Sequence, residues 1–199
     1  MTTGIAPARI LAAEDSQVRK TIVKFGLMSG AISTAMMLVT IPFIDRIGDK
    51  GELVGYTAIV VSFLFVFFGI RSYRDNVAGG TITFGRAFSV GILITVISCL
   101  CYVATWEILY FKMHFMAGFM DQYVAVSIDR LKASGASPET VQAEVVRMNN
   151  FKRLYQNPLF NAAITFVEPF PVGLIMTVMS AAILRKKPTP GVPAGAVVS

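Results

Sequence analysis

Four long apolar runs, parted by short polar stretches, organise the chain. The first runs from Phe25 to Ile44 without a charge and ends against Asp45 and Arg46. The second, Leu53 to Ile70, holds Phe63, Phe65, Phe67 and Phe68 and stops at Arg71. The third is uncharged from Ala87 to Trp106 and continues through Glu107 to Phe111. The fourth, from about Leu159 to Leu184, carries a single charge, Glu168. A helix rising about 1.5 Å per residue needs about 20 apolar residues to cross a hydrocarbon layer of about 30 Å. All four runs meet that length, and none alternates with the two-residue period of a half-buried strand. Backbone groups in lipid must be satisfied within their own segment, so each run is expected to be a helix. The predicted spans are about 22–44, 53–71, 86–111 and 159–185. The first is expected to be retained: its apolar run is longer than a signal-peptide core, and no A-x-A-like site follows it.

Between the third and fourth runs, residues 112–158 read as a pair of amphipathic helices. Met116, Phe119, Met120, Tyr123, Val124 and Leu131 recur at helical spacing, and Ser134-Gly135-Ala136 breaks the pattern. Ser137-Pro138-Glu139 supplies an N-cap, a proline at the first helical position and an early acid, so a second helix starts there. Val141, Val145, Met148 and Phe151 share one of its faces. A helical hairpin outside the bilayer is the expected result. The tail 188–199, with Pro188, Pro190, Pro193, Gly191 and Gly195, has nothing to bury and is expected to be disordered. Residues 1–187 form the expected single membrane domain.

Composition strengthens this picture. The chain is 54% hydrophobic and 15% charged, with a mean hydropathy of +0.63. Soluble domains carry about 25% charged residues, and 199 residues could not cover four buried apolar helices with polar surface. Disorder needs the reverse composition. A disulfide-stapled secreted domain needs more than two cysteines. In a polar protein the net charge of +6 would suggest nucleic acid. Here the basic residues flank apolar runs, where they set membrane orientation instead. Arg185-Lys186-Lys187 abuts the fourth run, whereas Arg130, Lys132 and Arg147 lie well inside the long 112–158 segment. Both termini are therefore expected in the cytoplasm.

Two of the runs share a motif. Gly91, Thr95 and Ser98 in the third, and Gly173, Thr177 and Ser180 in the fourth, fall at i, i+4 and i+7, one face of a helix. Small residues let backbones approach and hydroxyls bond across, so these six are expected to pack helices together. Two carboxylates lie within apolar runs. Glu168 precedes Pro169-Phe170-Pro171, and each proline removes a backbone donor, so the span is expected to kink there. An acid beside freed carbonyls is a candidate proton or cation site or a structural acceptor. Glu107 is a second candidate, beside Trp106 and Tyr110. His114 has no second His or Cys spaced to share a metal, and Cys99 and Cys101 point to different faces. Gly79-Gly80 matches neither a dinucleotide nor a Walker loop. No catalytic, cofactor-binding or metal-binding residue is assigned.

Gly79-Gly80-Thr-Ile-Thr-Phe-Gly-Arg-Ala-Phe88, Tyr155-Gln-Asn-Pro-Leu-Phe160, Ile164-Thr-Phe-Val-Glu-Pro-Phe-Pro-Val-Gly-Leu174 and Leu184-Arg-Lys-Lys187 resemble the bacterial membrane family known as domain of unknown function 4199. The resemblance implies a four-helix integral protein of the bacterial inner membrane and no catalytic residues. The expected architecture is an all-α bundle of four transmembrane helices, with an extramembrane hairpin between the third and the fourth. The expected role is non-enzymatic, an accessory or scaffold subunit acting through helix and hairpin contacts. Its expected partners are the lipid bilayer and another membrane protein or a second copy, with no nucleic acid. The alternative is transport of a small solute or proton through Glu168.

Overall fold

The computed structural model describes residues 5–40, 51–113 and 118–186. Asp45, Arg46, Lys50, His114, Met116, Lys187 and the tail from Pro188 lie outside these ranges. Seven helices follow one another among the described residues: α1 (Ile5–Thr40), α2 (Gly51–Asn76), α3 (Phe84–Lys112), α4 (Phe119–Ala133), α5 (Pro138–Tyr155), α6 (Pro158–Val167) and α7 (Phe170–Leu184). No strand forms among these residues, and one isolated antiparallel bridge joins Ile82 to Lys186. Four stretches are long and apolar enough to cross a membrane: Asp15–Thr40, Leu53–Asn76, Phe84–Lys112 and Pro158–Leu184. Leu27, Leu100 and Ile175 on them are each more than half exposed, as lipid-facing side chains would be.

Local sequence explains where the helices start and stop. The Tyr73 carbonyl accepts from Val77 N and Ala78 N and the Arg74 carbonyl from Gly80 N, with Gly79 and Gly80 at φ 63° and 80°. That left-handed ending, free of strain only for glycine, closes α2. Ser137 Oγ accepts from Thr140 N, and Pro138 opens α5. Asn157 Oδ1 accepts from Leu159 N and Phe160 N, and Pro158 opens α6. Between α6 and α7 the ladder is interrupted, because Pro169 and Pro171 have no N–H to offer the carbonyls of Thr165 and Val167. Glu168 N still reaches the Ile164 carbonyl, and Gly173 N reaches that of Pro169.

The chain divides into two compact units, with boundaries inside α3 and at the α6–α7 break. Unit 1 comprises Met1–Cys101 and Pro169–Ser199, and unit 2 comprises Tyr102–Glu168. In unit 1, α1 packs on α2 and α2 on α7. Its core holds Phe63, Val66, Ile70, Tyr73 and Ile94, all nearly inaccessible. In unit 2, α4 packs on α5 and α5 on α6, burying Leu109, Met120, Val124, Met148 and Tyr155.

Candidate functional site

Unit 1 brings α3 and α7 together through small and hydroxylated residues. Thr95 Oγ1 lies 3.0 Å from Thr177 Oγ1 and 3.4 Å from the Gly173 carbonyl, and both threonines are fully buried. A Cβ placed on Gly173 would sit 2.4 Å from the Thr95 methyl and 2.8 Å from the Phe63 ring. One placed on Gly91 would sit 2.9 Å from the Thr177 methyl and 2.8 Å from Ile70 Cδ1. Only glycine lets the backbones come this close. The pairs Ile82–Lys186, Gly91–Thr177 and Thr95–Gly173 keep one antiparallel register. Within the helices that register runs from Phe84 to Thr95, about 17 Å at about 1.5 Å per residue.

Ser98 turns elsewhere. Its Oγ lies 2.9 Å from that of Ser29 on α1, and Ser29 Oγ also donates to the Ser62 carbonyl on α2 at 2.8 Å. All three serines are buried. The arc from Gly91 to Ser98 is therefore shared between two neighbours, with Thr95 toward α7 and Ser98 toward α1 and α2. Ser180 is also buried, 2% exposed. Cys99 is buried and Cys101 half-buried.

Unit 2 is held by aromatic rings and a polar network. Trp106 Nε1 donates to Tyr155 Oη at 3.0 Å, and Gln156 Nε2 donates to Tyr110 Oη at 3.2 Å. Trp106 meets Phe119 edge to face at 5.2 Å, and Tyr110 meets Tyr155 in the same way at 5.3 Å. Asn161, fully buried, donates to the Tyr155 carbonyl at 3.2 Å and accepts from Thr165 Oγ1 at 3.2 Å. Burial pushes the Tyr155 phenol above its ordinary range, against the opposing pull of its bonds to Thr165 and Trp106. A pocket of about 280 Å³ opens between Tyr110, Phe111, Met120, Asp121, Lys152 and Gln156, with the Asp121–Lys152 ion pair on its wall.

The two carboxylates differ in their surroundings. Glu168 is exposed at the α6 terminus, where its Oε2 accepts from Tyr102 Oη at 3.5 Å, a long bond. Pro169 next to it is buried, and Pro171 is exposed in the first turn of α7. Glu107 is half-buried, and its Oε1 is shut from solvent and meets no hydrogen-bond partner among the described residues. Glu168 thus has a phenol for a neighbour, and this oxygen of Glu107 has none.

Several of these partners escape a reading of the sequence. Ser29, Ser62, Tyr102 and Tyr155 carry no local signal, because hydropathy says which residues are apolar and not which helices meet. Asn161 does carry one. It is an amide four residues before Thr165 in an otherwise apolar run, a spacing that sets both on one helix face.

The family described as "Protein of unknown function (DUF4199)" matches residues 24–186. No curated protein and no solved structure matches the chain.

Proposed function

The chain belongs to the DUF4199 family of proteins of unknown function, and on that premise we propose a multipass protein of the bacterial inner membrane that is not an enzyme. It works as an accessory or scaffold subunit, through helix and hairpin contacts with another membrane protein or a second copy. Support comes from the use made of the hydroxyls inside the apolar helices. Ser29, Ser62, Thr95, Ser98 and Thr177 are buried and bonded to one another or to helix carbonyls. A conducting path would leave such groups facing water, whereas helix association consumes them. In this reading both termini are cytoplasmic, and α4 and α5 form a hairpin on the periplasmic side. There the exposed Tyr123, Val126 and Val146 offer a contact surface.

The test is purification of the tagged full chain from native membranes in mild detergent, after cross-linking. A membrane-protein partner or a second copy, cross-linked through α4 or α5, is the expected result. Recovery of uncross-linked monomer alone, together with solute or proton flux in vesicles, overturns it. A reporter fused at Ser199 should be active only on the cytoplasmic side.

One observation favours the transport reading: Glu168 is an exposed carboxylate inside an apolar span, with a phenol at 3.5 Å. Glu168→Gln keeps shape and hydrogen bonding while removing the titrating charge. The scaffold reading expects that variant to fold and to complement a deletion strain. A folded variant that fails to complement moves the assignment to transport.

A further inference from the structure

Basic side chains gather at the end of unit 1 where α2 and α7 finish and α3 begins. Arg71 and Arg74 lie near the end of α2, Arg86 lies in the first turn of α3, and Arg185 and Lys186 follow α7. The Ile82–Lys186 bridge pins these segments together: Ile82 N donates to the Lys186 carbonyl at 3.0 Å, and Lys186 N donates back at 2.9 Å. Lys24 joins them from α1. Its neighbour Phe25 seats against Gly69, 3.0 Å from where a Cβ would be, two residues before Arg71.

Among the described residues, little negative charge meets Arg71, Arg74, Lys24, Arg185 and Lys186. Asp75 is shared by two of them, accepting from Arg74 Nε at 2.7 Å and lying 3.6 Å from Arg71. Arg86 donates to Tyr73 Oη at 2.9 Å and lies 5.7 Å from that ring's centre, which fixes it in place. Lys24, Arg185 and Lys186 are exposed, and no carboxylate among the described residues lies within ion-pair distance of them.

The neighbours of the cations identify the partner. Beside Lys24, Val23 is 47% and Leu27 51% exposed. One turn before Arg71, Phe68 is 47% exposed, and just before Arg185, Ile183 is 67% exposed. A soluble polyanion would meet the charges and leave this apolar surface uncovered. A phospholipid answers both, with acyl chains along the apolar side chains and a phosphate at the cations. We propose that this end of unit 1 is a binding surface for anionic phospholipid headgroups, with Arg71, Arg185 and Lys186 as the phosphate contacts. Arginine suits the role because its planar fork grips phosphate through two parallel bonds. The inference rests on the reading that these helices cross a bilayer, and it holds for either orientation of the chain.

The full chain is reconstituted in vesicles of equal phosphatidylglycerol and phosphatidylcholine, extracted in mild detergent, and its retained lipids are weighed by mass spectrometry. A basic residue near an anionic surface favours association about fivefold, so phosphatidylglycerol should exceed phosphatidylcholine by at least about fivefold. Raising the salt to about 0.5 M should lower the ratio. The triple variant Arg71→Gln, Arg185→Gln, Lys186→Gln should approach parity, while Arg71→Lys with Arg185→Lys keeps the preference. Equal retention by the wild-type chain, a salt-independent ratio, or a glutamine variant that keeps the preference would each overturn the proposal. Should the glutamine variant fail to fold, the salt series on the wild type decides. A carbonate wash of phosphatidylcholine vesicles separates the two layers of the argument. A chain washed away removes the membrane reading and this proposal with it. A chain that stays but prefers neither lipid removes only the proposal.

Discussion

The two units solve the same problem, holding helices together, by different means. Unit 1 relies on absence: glycines at 26, 30, 69, 91 and 173 leave room for Ile97, Cys101, Phe25, Thr177 and Thr95. The hydroxyls of Ser29, Thr95 and Ser98 then bond across the narrowed gaps. Unit 2 relies on bulk: Tyr110 stacks on Trp106 and meets Tyr155 edge to face, Phe151 lies tilted against Tyr155, and Trp106 and Tyr155 are tied by their polar tips. On the membrane reading proposed above, the contrast follows from solvent. Lipid tails are as apolar as leucine, so burying leucine gains nothing in a bilayer, and close backbone contact must hold the helices. Aromatic rings with a polar tip suit a boundary that is greasy at one end and wet at the other.

Breaking the close approach should cost most. Gly173→Leu has no space beside Thr95 and Phe63 and is expected to abolish folded protein, read as lost expression and a lost melting transition in detergent. Gly173→Ala should destabilise by about 1–3 kcal/mol through overpacking. Gly55→Ala, where nothing lies within 4 Å, should be neutral or stabilising by up to about 1 kcal/mol. If Gly173→Ala melts like the wild type, backbone proximity is not what holds unit 1.

Next comes the amide in unit 2. Asn161→Leu strips the Tyr155 carbonyl of its side-chain donor and Thr165 of its acceptor, an expected cost of about 1–3 kcal/mol. The single tryptophan, Trp106, lies in unit 2 and bonds to Tyr155, so its fluorescence should report the change. An unmoved tryptophan transition would mean that the rings alone suffice. Smallest is Ser137→Ala, which removes the cap of α5 at about 1 kcal/mol. Its mark should be faster hydrogen exchange at the Thr140 amide, leaving the unit 1 transition in place.

Much of the helical layout is legible in the residues because its causes are local. Apolar length with at most one charge marks four spans, Ser137-Pro138 and Asn157-Pro158 mark helix starts, and two prolines on either side of Phe170 mark the break after Val167. The site is legible only in part. Gly91, Thr95, Gly173 and Thr177 announce themselves by spacing, since three- and four-residue steps define a helix face. That Ser98 pairs with Ser29, or that Tyr102 reaches Glu168 across 66 positions, depends on which helices become neighbours, and hydropathy carries no such information. The closed-off oxygen of Glu107 is invisible for the same reason: nothing next to it in the chain decides what surrounds it.

Unit 1 is discontinuous, and that has a consequence in time. Its fourth helix, α7, is made only after all of residues 102–168 have been added to the chain. At about 5–20 residues per second, that is a wait of about 3 to 13 s. During it, Gly91 and Thr95 face a groove whose occupant does not yet exist, and unit 2 is completed in sequence. Unit 2 is therefore complete in sequence before unit 1. Thr177 is the late arrival that seals the first half of the chain, and any factor guarding the half-built groove has those seconds in which to act.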